Sequence, residues 1–225
     1  LRFFVCDTET TGPTPQDKVV ELAFVELDAD LQVLDRQHSL IDPQRAISAS
    51  ASGVHGITYD MLTEQPTLDE FFSVLYGSLL TGNVVFIAHN AQFDLRYLKP
   101  YIPTLAAEVC TLRLARKYFP RAENHKLSTL MYELGLARGT THRADGDVDT
   151  TVGLLRKIVE VSGKSITQLA EDSAQPEFVA VMPFGKHKGL PVRDVPRGWF
   201  TWLLKQGGTI DRDLLYTINK VLAGA

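Results

Sequence analysis

The apolar positions of this 225-residue chain change period several times along its length. A continuous run, Phe3-Phe4-Val5-Cys6, breaks at Thr10-Thr11-Gly12-Pro13, which is turn chemistry, so a strand is predicted at the start. Val19 to Leu27 and Leu31 to Ile41 are strand-like and joined by the polar Asp28-Ala29-Asp30, which predicts an antiparallel meander. Between Thr67 and Leu80 the spacing of Leu68, Phe71, Phe72, Leu75 and Leu79 becomes helical. Val84 to Ala88 reads as a buried strand, with Asn90 placed to cap a helix starting near Ala91. Helices are predicted over 111–118, 127–134 and 147–162, and a short one over 165–172.

Strands first, then alternating helix and strand, predict an α/β domain around a mixed sheet over residues 1–173. Ser173 to Glu177, with Pro176 inside it, reads as a linker. Phe178 starts a new apolar pattern, giving a small second module over 178–225 with little core of its own.

Composition narrows the class. With 44% apolar and 22% charged residues the chain is neither disordered nor fibrous. No apolar run approaches the roughly 20 residues that span a bilayer, so no membrane partner is expected. The chain opens on a strand bearing Asp7 and Glu9 rather than a secretory signal pattern. Cys6 and Cys110 make no disulfide framework and show no metal-ligand spacing, and the reading is a reduced, cytoplasmic protein. The net charge of −4 conceals an asymmetry. Residues 178–225 carry seven basic and three acidic side chains, net +4, while residues 1–177 are net −8. An acidic body with a basic tail suits a metal-loaded site plus a polyanion clamp, although sampling in a short segment gives the same asymmetry about equally often.

The acids carry the chemistry. Asp7 and Glu9 lie two apart in a strand and leave the same face, where they repel unless a cation sits between them. Asp94 falls early in a helix after a buried strand, and Asp147 opens another helix, where an acid is also favoured simply by the dipole. Oxygen-only ligands suit Mg²⁺ or Mn²⁺ rather than zinc. Asp145 and Asp149 flank Asp147 and are read as solvated. Among Arg113, Arg116, Lys117, Arg121 and Lys126, most read as a solvated helix face and one or two as phosphate contacts.

Taken together, Asp-Thr-Glu-Thr-Thr-Gly at 7–12, His-Asn-Ala-Gln-Phe-Asp at 89–94 and His-Arg-Ala-Asp-Gly-Asp at 142–147 resemble, in order and spacing, the three motifs of the DEDDh exonuclease family. Val54-His55-Gly56-Ile57-Thr58 is similar to that family's substrate-loop segment. The resemblance covers about residues 3–162 and implies a ribonuclease-H-like mixed sheet flanked by helices. It implies a 3′→5′ exonuclease in which Asp7, Glu9, Asp94 and Asp147 hold two Mg²⁺ ions, Mn²⁺ being accepted too, with His142 as general base. A histidine is neutral near physiological pH often enough to take a water's proton. The resemblance sets the terminal nucleotide against Thr10, Thr11 and Gly12, with contacts from His55, Ile57, Asn90 and Phe93; Phe93 reads equally as core.

The implied partner is nucleic acid with a free 3′ end, DNA being favoured. An RNA-trimming enzyme and a polymerase-associated accessory subunit are the alternatives, and monomer and homodimer stay open. Residues 183–203 resemble the C-terminal module of exonuclease X-type proteins. There Gly185 and Gly189 bracket Lys186, His187 and Lys188 in a turn suited to a phosphate backbone, so Lys186 and Lys188 are expected nucleic-acid contacts. Trp199 and Trp202 are expected to pack the module's core.

Overall fold

A computed structural model describes residues 1–75, 82–136, 142–206 and 210–224. The chain divides into two compact units, Leu1–Ala174 and Gln175–Ala225.

The first unit is built on a five-stranded sheet of order β3-β2-β1-β4-β5, formed by β1 (Arg2–Thr10), β2 (Val19–Leu27), β3 (Val33–Leu40), β4 (Asn83–Ala88) and β5 (Thr104–Cys110). The first three strands form the predicted antiparallel meander, whereas β4 and β5 join in parallel, so the sheet is mixed. β5 is an addition to the predicted elements. The intervening helices are α1 (Ala49–His55), α2 (Leu68–Leu75), α3 (Ala91–Leu98), α4 (Thr111–Tyr118), α5 (Leu127–Glu133), α6 (Ala144–Ser162) and α7 (Ile166–Ala174). Residues 76–80 of the predicted second helix, including Leu79, lie outside the described residues.

Alternation along β1 sorts the core into two layers. Val5, with Ala23, Val25, Val85 and Ile87, faces α4 to α7. Phe4 and Cys6, with Phe24, Val84 and Phe86, face α2 and α3. α6 buries Ala144, Val148, Val152, Leu155 and Ile158 at three- and four-residue intervals against the first layer and stops at Gly163, which takes a left-handed φ of 65°. This rigid docking fixes where the first turn of α6, with Asp147 in it, meets the sheet.

The second unit packs Met182, Val192, Val195, Phe200, Leu214 and Ile218 between a short bridged loop (Val181 with Pro191), α8 (Arg197–Lys205) and α9 (Arg212–Ala223). Trp199 packs against this core as expected. Trp202 does not: it is 53% exposed, because the helix turns that position outward while Phe200 takes the interior. Among the described residues no helix is long and apolar enough to cross a membrane.

Candidate active site

The site begins where β4 ends. β1 pairs with β4 only as far as Val5–Ile87, so the second half of β1 runs on with no β4 partner beside it. A backbone N–H left in the interior must find an acceptor. Thr8 finds one in Asp94 of α3, whose Oδ1 accepts from the Thr8 backbone N–H at 3.0 Å and from its hydroxyl at 2.7 Å. Asp94 is 2% exposed, and it reaches β1 from the α2/α3 layer.

Asp7 and Glu9 leave the opposite face of β1 and meet Asp147 from α6, with one oxygen of each carboxylate within 4.8 Å of the others. Crowding and burial act together. Burial, then the charges of Asp94 and Asp147, push Asp7 well up. Burial, then Asp147, pushes Glu9 to about 7. Asp94 rises to about 7 through burial, against the pull of the Thr8 hydrogen bonds. Asp147 rises to about 6, again chiefly through burial. Acids held this close, each resisting ionisation, are a donor set that a hard divalent cation neutralises.

Asp145 and Asp149 stand apart from this group because Arg36 of β3 pairs with both. His142 is exposed and takes a left-handed φ of 59°, unusual for a residue with a side chain. Its backbone N–H donates to Asp147 Oδ2 at 3.2 Å, tying the histidine to the acid group.

Glu21 was not singled out from sequence. It is fully buried on β2, directly across from Glu9 in the strand register. Its carboxylate accepts from Arg143 at 2.7 Å, from the Ala144 backbone N–H at 3.0 Å and from His38 at 2.8 Å. Burial alone would raise its pKa, but these bonds outweigh burial and hold it below the usual range. Its lone pairs are committed, so it anchors α6 rather than joining the metal-binding set.

A cleft of about 540 Å³ reaches Asp7 and Asp147. Asp7, Asp147 and His142 line it together with Leu112, Arg116, Lys126, Leu127 and Ser128. Its wall is braced by His89, held between the Thr111 hydroxyl (3.1 Å) and the His125 carbonyl (2.9 Å), and burial lowers the His89 pKa to about 4.

The expected nucleotide contacts divide. Phe93 is half-buried outside the core, with Arg96 over its ring at 4.9 Å, and Asn90 is exposed. Asn90 occupies the cap position of α3 in a left-handed conformation, and its side chain makes no cap bond. Thr10 and Thr11 are buried, their hydroxyls bound to the Gly12 carbonyl and to Asp17. Gly12 abuts the Asp17 carboxylate so closely that a Cβ would lie 2.8 Å from it. His55 and Ile57 are turned inward. Both ring nitrogens of His55 are used internally, Nε2 toward the Thr10 carbonyl and Nδ1 by the Ile57 N–H. Ile57 has no exposed surface and packs with Val20 and Leu62.

Comparison with known proteins gives the family. The exonuclease family model (RNase T family) matches residues 4–155. Exodeoxyribonuclease 10 of Escherichia coli strain K12 is 30% identical over 97% of each chain. The PolC-type DNA polymerase III of Thermotoga petrophila is 34% identical over 75% of this chain but only 13% of its own length. The solved structure of exonuclease X in complex with 5′ overhanging duplex DNA superposes with a TM-score of 0.63 at 30% identity, covering 76% of this chain and 99% of that one. The chain belongs to the DEDDh family of 3′→5′ exonucleases and carries its ribonuclease-H-like fold. It is a nuclease of a family that uses divalent metal ions.

Proposed function

We propose that this protein hydrolyses DNA from the 3′ end, releasing nucleoside 5′-monophosphates, with Asp7, Glu9, Asp94 and Asp147 holding two Mg²⁺ ions and His142 as general base. The observation that carries this reading is the convergence of Asp7, Glu9 and Asp147 within 4.8 Å, at a cleft that His142 also lines. Bound there, divalent cations supply Lewis-acid stabilisation of phosphoryl oxygens and a water of lowered pKa.

The protein's own residues do the rest. His142, exposed at the cleft and tied through its backbone to Asp147, takes the proton of the attacking water. The new O–P bond forms as the bond from phosphorus to the 3′-oxygen of the penultimate nucleotide breaks, and that oxygen regains a proton from solvent. Leu112 and Leu127 give the terminal nucleoside apolar walls, and Arg116 and Lys126 give its phosphates positive charge. Apolar walls and stacking on Phe93 accept any base, so little sequence preference is expected. DNA is favoured because exodeoxyribonuclease 10 is similar over nearly the whole chain.

The test is a set of matched 5′-labelled DNA and RNA strands, single and duplex, with Mg²⁺. Shortening of DNA from the 3′ end, abolished in His142→Ala and Asp147→Asn, is the expected result. Shortening of RNA alone would reassign the substrate, and activity surviving in Asp147→Asn would remove that residue from the metal site.

A further inference from the structure

The Gln175–Ala225 unit carries a stripe that its own core does not explain. The turn holding Lys186, His187 and Lys188 is bounded by Gly185 and Gly189, with left-handed φ values of 74° and 85°. Gly185 sits against Trp199 so closely that a Cβ there would lie 3.2 Å from the indole. His187 meets the same indole edge-on, with ring centroids 5.1 Å apart. Trp199 in turn contacts Trp202, centroids 6.2 Å apart, and Lys205 follows three residues later on the same helical face. The order across the surface is therefore cationic turn, buried-edge indole, half-exposed indole, cation.

Charge says what suits it. Lys186, Lys188 and Lys205 are exposed, and among the described residues no carboxylate pairs with them. Among the unit's acids, Asp194 lies beside Arg193, Asp211 caps α9, and Asp213 accepts from the Glu177 N–H. Trp202 touches only Trp199 among the ring contacts of the described residues and stays 53% exposed, and this free aromatic surface beside cations matches a ligand that alternates flat rings with negative charge.

We propose that this stripe is a second binding site for single-stranded nucleic acid, with Trp202 stacking on an unpaired base and Lys186, Lys188 and Lys205 taking phosphates. The choice of ligand rests on the exonuclease reading. An unpaired strand is specified because a base inside a duplex offers no free face to an indole.

The test uses the full chain in EDTA with a fluorescent oligothymidylate of about twenty nucleotides. Trp202→Ala is expected to weaken binding about tenfold or more, with Trp202→Phe recovering most of the loss. The double charge reversal Lys186→Glu, Lys188→Glu should also flatten the salt dependence by about 1.4 in log–log slope, at about 0.7 per lost phosphate contact. In a Trp199→Phe background, the remaining Trp202 emission should be quenched as strand is added. Unchanged affinity in Trp202→Ala together with unquenched Trp202 emission overturns the proposal. Hydrolysis of a short oligonucleotide by wild type and Trp202→Ala is measured in parallel with Mg²⁺. Its absence in wild type would count against the exonuclease reading, while the EDTA binding result would still decide the fate of this site.

Discussion

Glu21 and Arg143 lie 122 residues apart in sequence and form a two-nitrogen ion pair, with Arg143 Nε at 3.0 Å and its terminal nitrogen at 2.7 Å from Glu21 Oε1. The same carboxylate takes the Ala144 N–H, so β2 grips the two residues that follow His142. A left-handed histidine needs such support, because its neighbours must hold a conformation it would leave if free. Glu21→Ala should therefore destabilise the fold by on the order of 2 kcal/mol. That is below the usual cost of breaking a fully buried pair, since Arg143 keeps contact with water. It should also lower kcat more than it raises KM. Urea midpoints at constant m, with steady-state kinetics on the same samples, check both.

The acid group ties stability to pH in a direction that metal reverses. Glu9 and Asp94 are held at about 7 and Asp147 at about 6, above the ordinary carboxylate range. The metal-free fold thus binds more protons than the unfolded chain between about pH 4 and 7, and these acids make it less stable as pH rises through that window. His89, lowered to about 4 by burial, and His55, also lowered by burial, work the other way, since their stability contribution is lost as pH falls, but they are two groups against the four raised acids. Melting in EDTA should show a lower Tm at about pH 8 than at about pH 5.5, and Mg²⁺ should raise Tm more at the higher pH. At about pH 6, metal binding should release protons, measurable as a dependence of binding heat on buffer ionisation enthalpy.

Three aspartates in the first turns of α6 should give different results. Asp145→Asn and Asp149→Asn each remove a half-exposed partner of Arg36 and should change stability by less than about 1 kcal/mol with activity kept. Asp147→Asn should abolish hydrolysis while the fold survives. Equal losses in all three would mean that Arg36 does not keep its two partners away from the metal.

Two glycines make a matched pair. At Gly12 a Cβ must displace the Asp17 carboxylate, which is held by Thr11 and Thr14, so Gly12→Ala should cost about 1–3 kcal/mol and depress activity through the Thr10–Gly12 turn. Gly53 in α1 faces open space, and Gly53→Ala should stabilise by about 0.5–1 kcal/mol through helix propensity. Thermal melts of both variants decide it.

Where the chain had a strong period, its elements were legible. β2 (Val19–Leu27) and α4 (Thr111–Tyr118) match the predicted ranges, because long apolar runs and amphipathic spacing leave little choice. α1 had no such signal. Its Ala-Ser-Ala-Ser-Gly sequence carries no apolar stripe, and it is held by its ends, with the Ser48 side chain accepting from Ala51 N–H and Gly56 in a left-handed cap. β5 was missed for a similar reason, since two alanines weaken its strand signal and its place depends on parallel pairing with the distant β4. Asp7, Glu9 and Asp147 were legible as a group only through motif order, and the structure brings them together. Glu21 had a signal that was passed over: a lone acid inside a continuous apolar run must either face solvent or be fully bonded.

The bond from Asp94 to Thr8 has a consequence for how this enzyme class can diversify. Three of the four acids are fastened to one strand, two by sequence and one by the hydrogen bonds that replace a missing neighbour strand. The stretch of the cleft lining from Asn124 to Ser128 is held instead through the bond between His89 and the His125 carbonyl. In the proposed function, chemistry and substrate choice sit on separate pieces of chain. On that reading, exchanging residues 124–128 for those of a relative is expected to change the choice of nucleic acid while hydrolysis is kept.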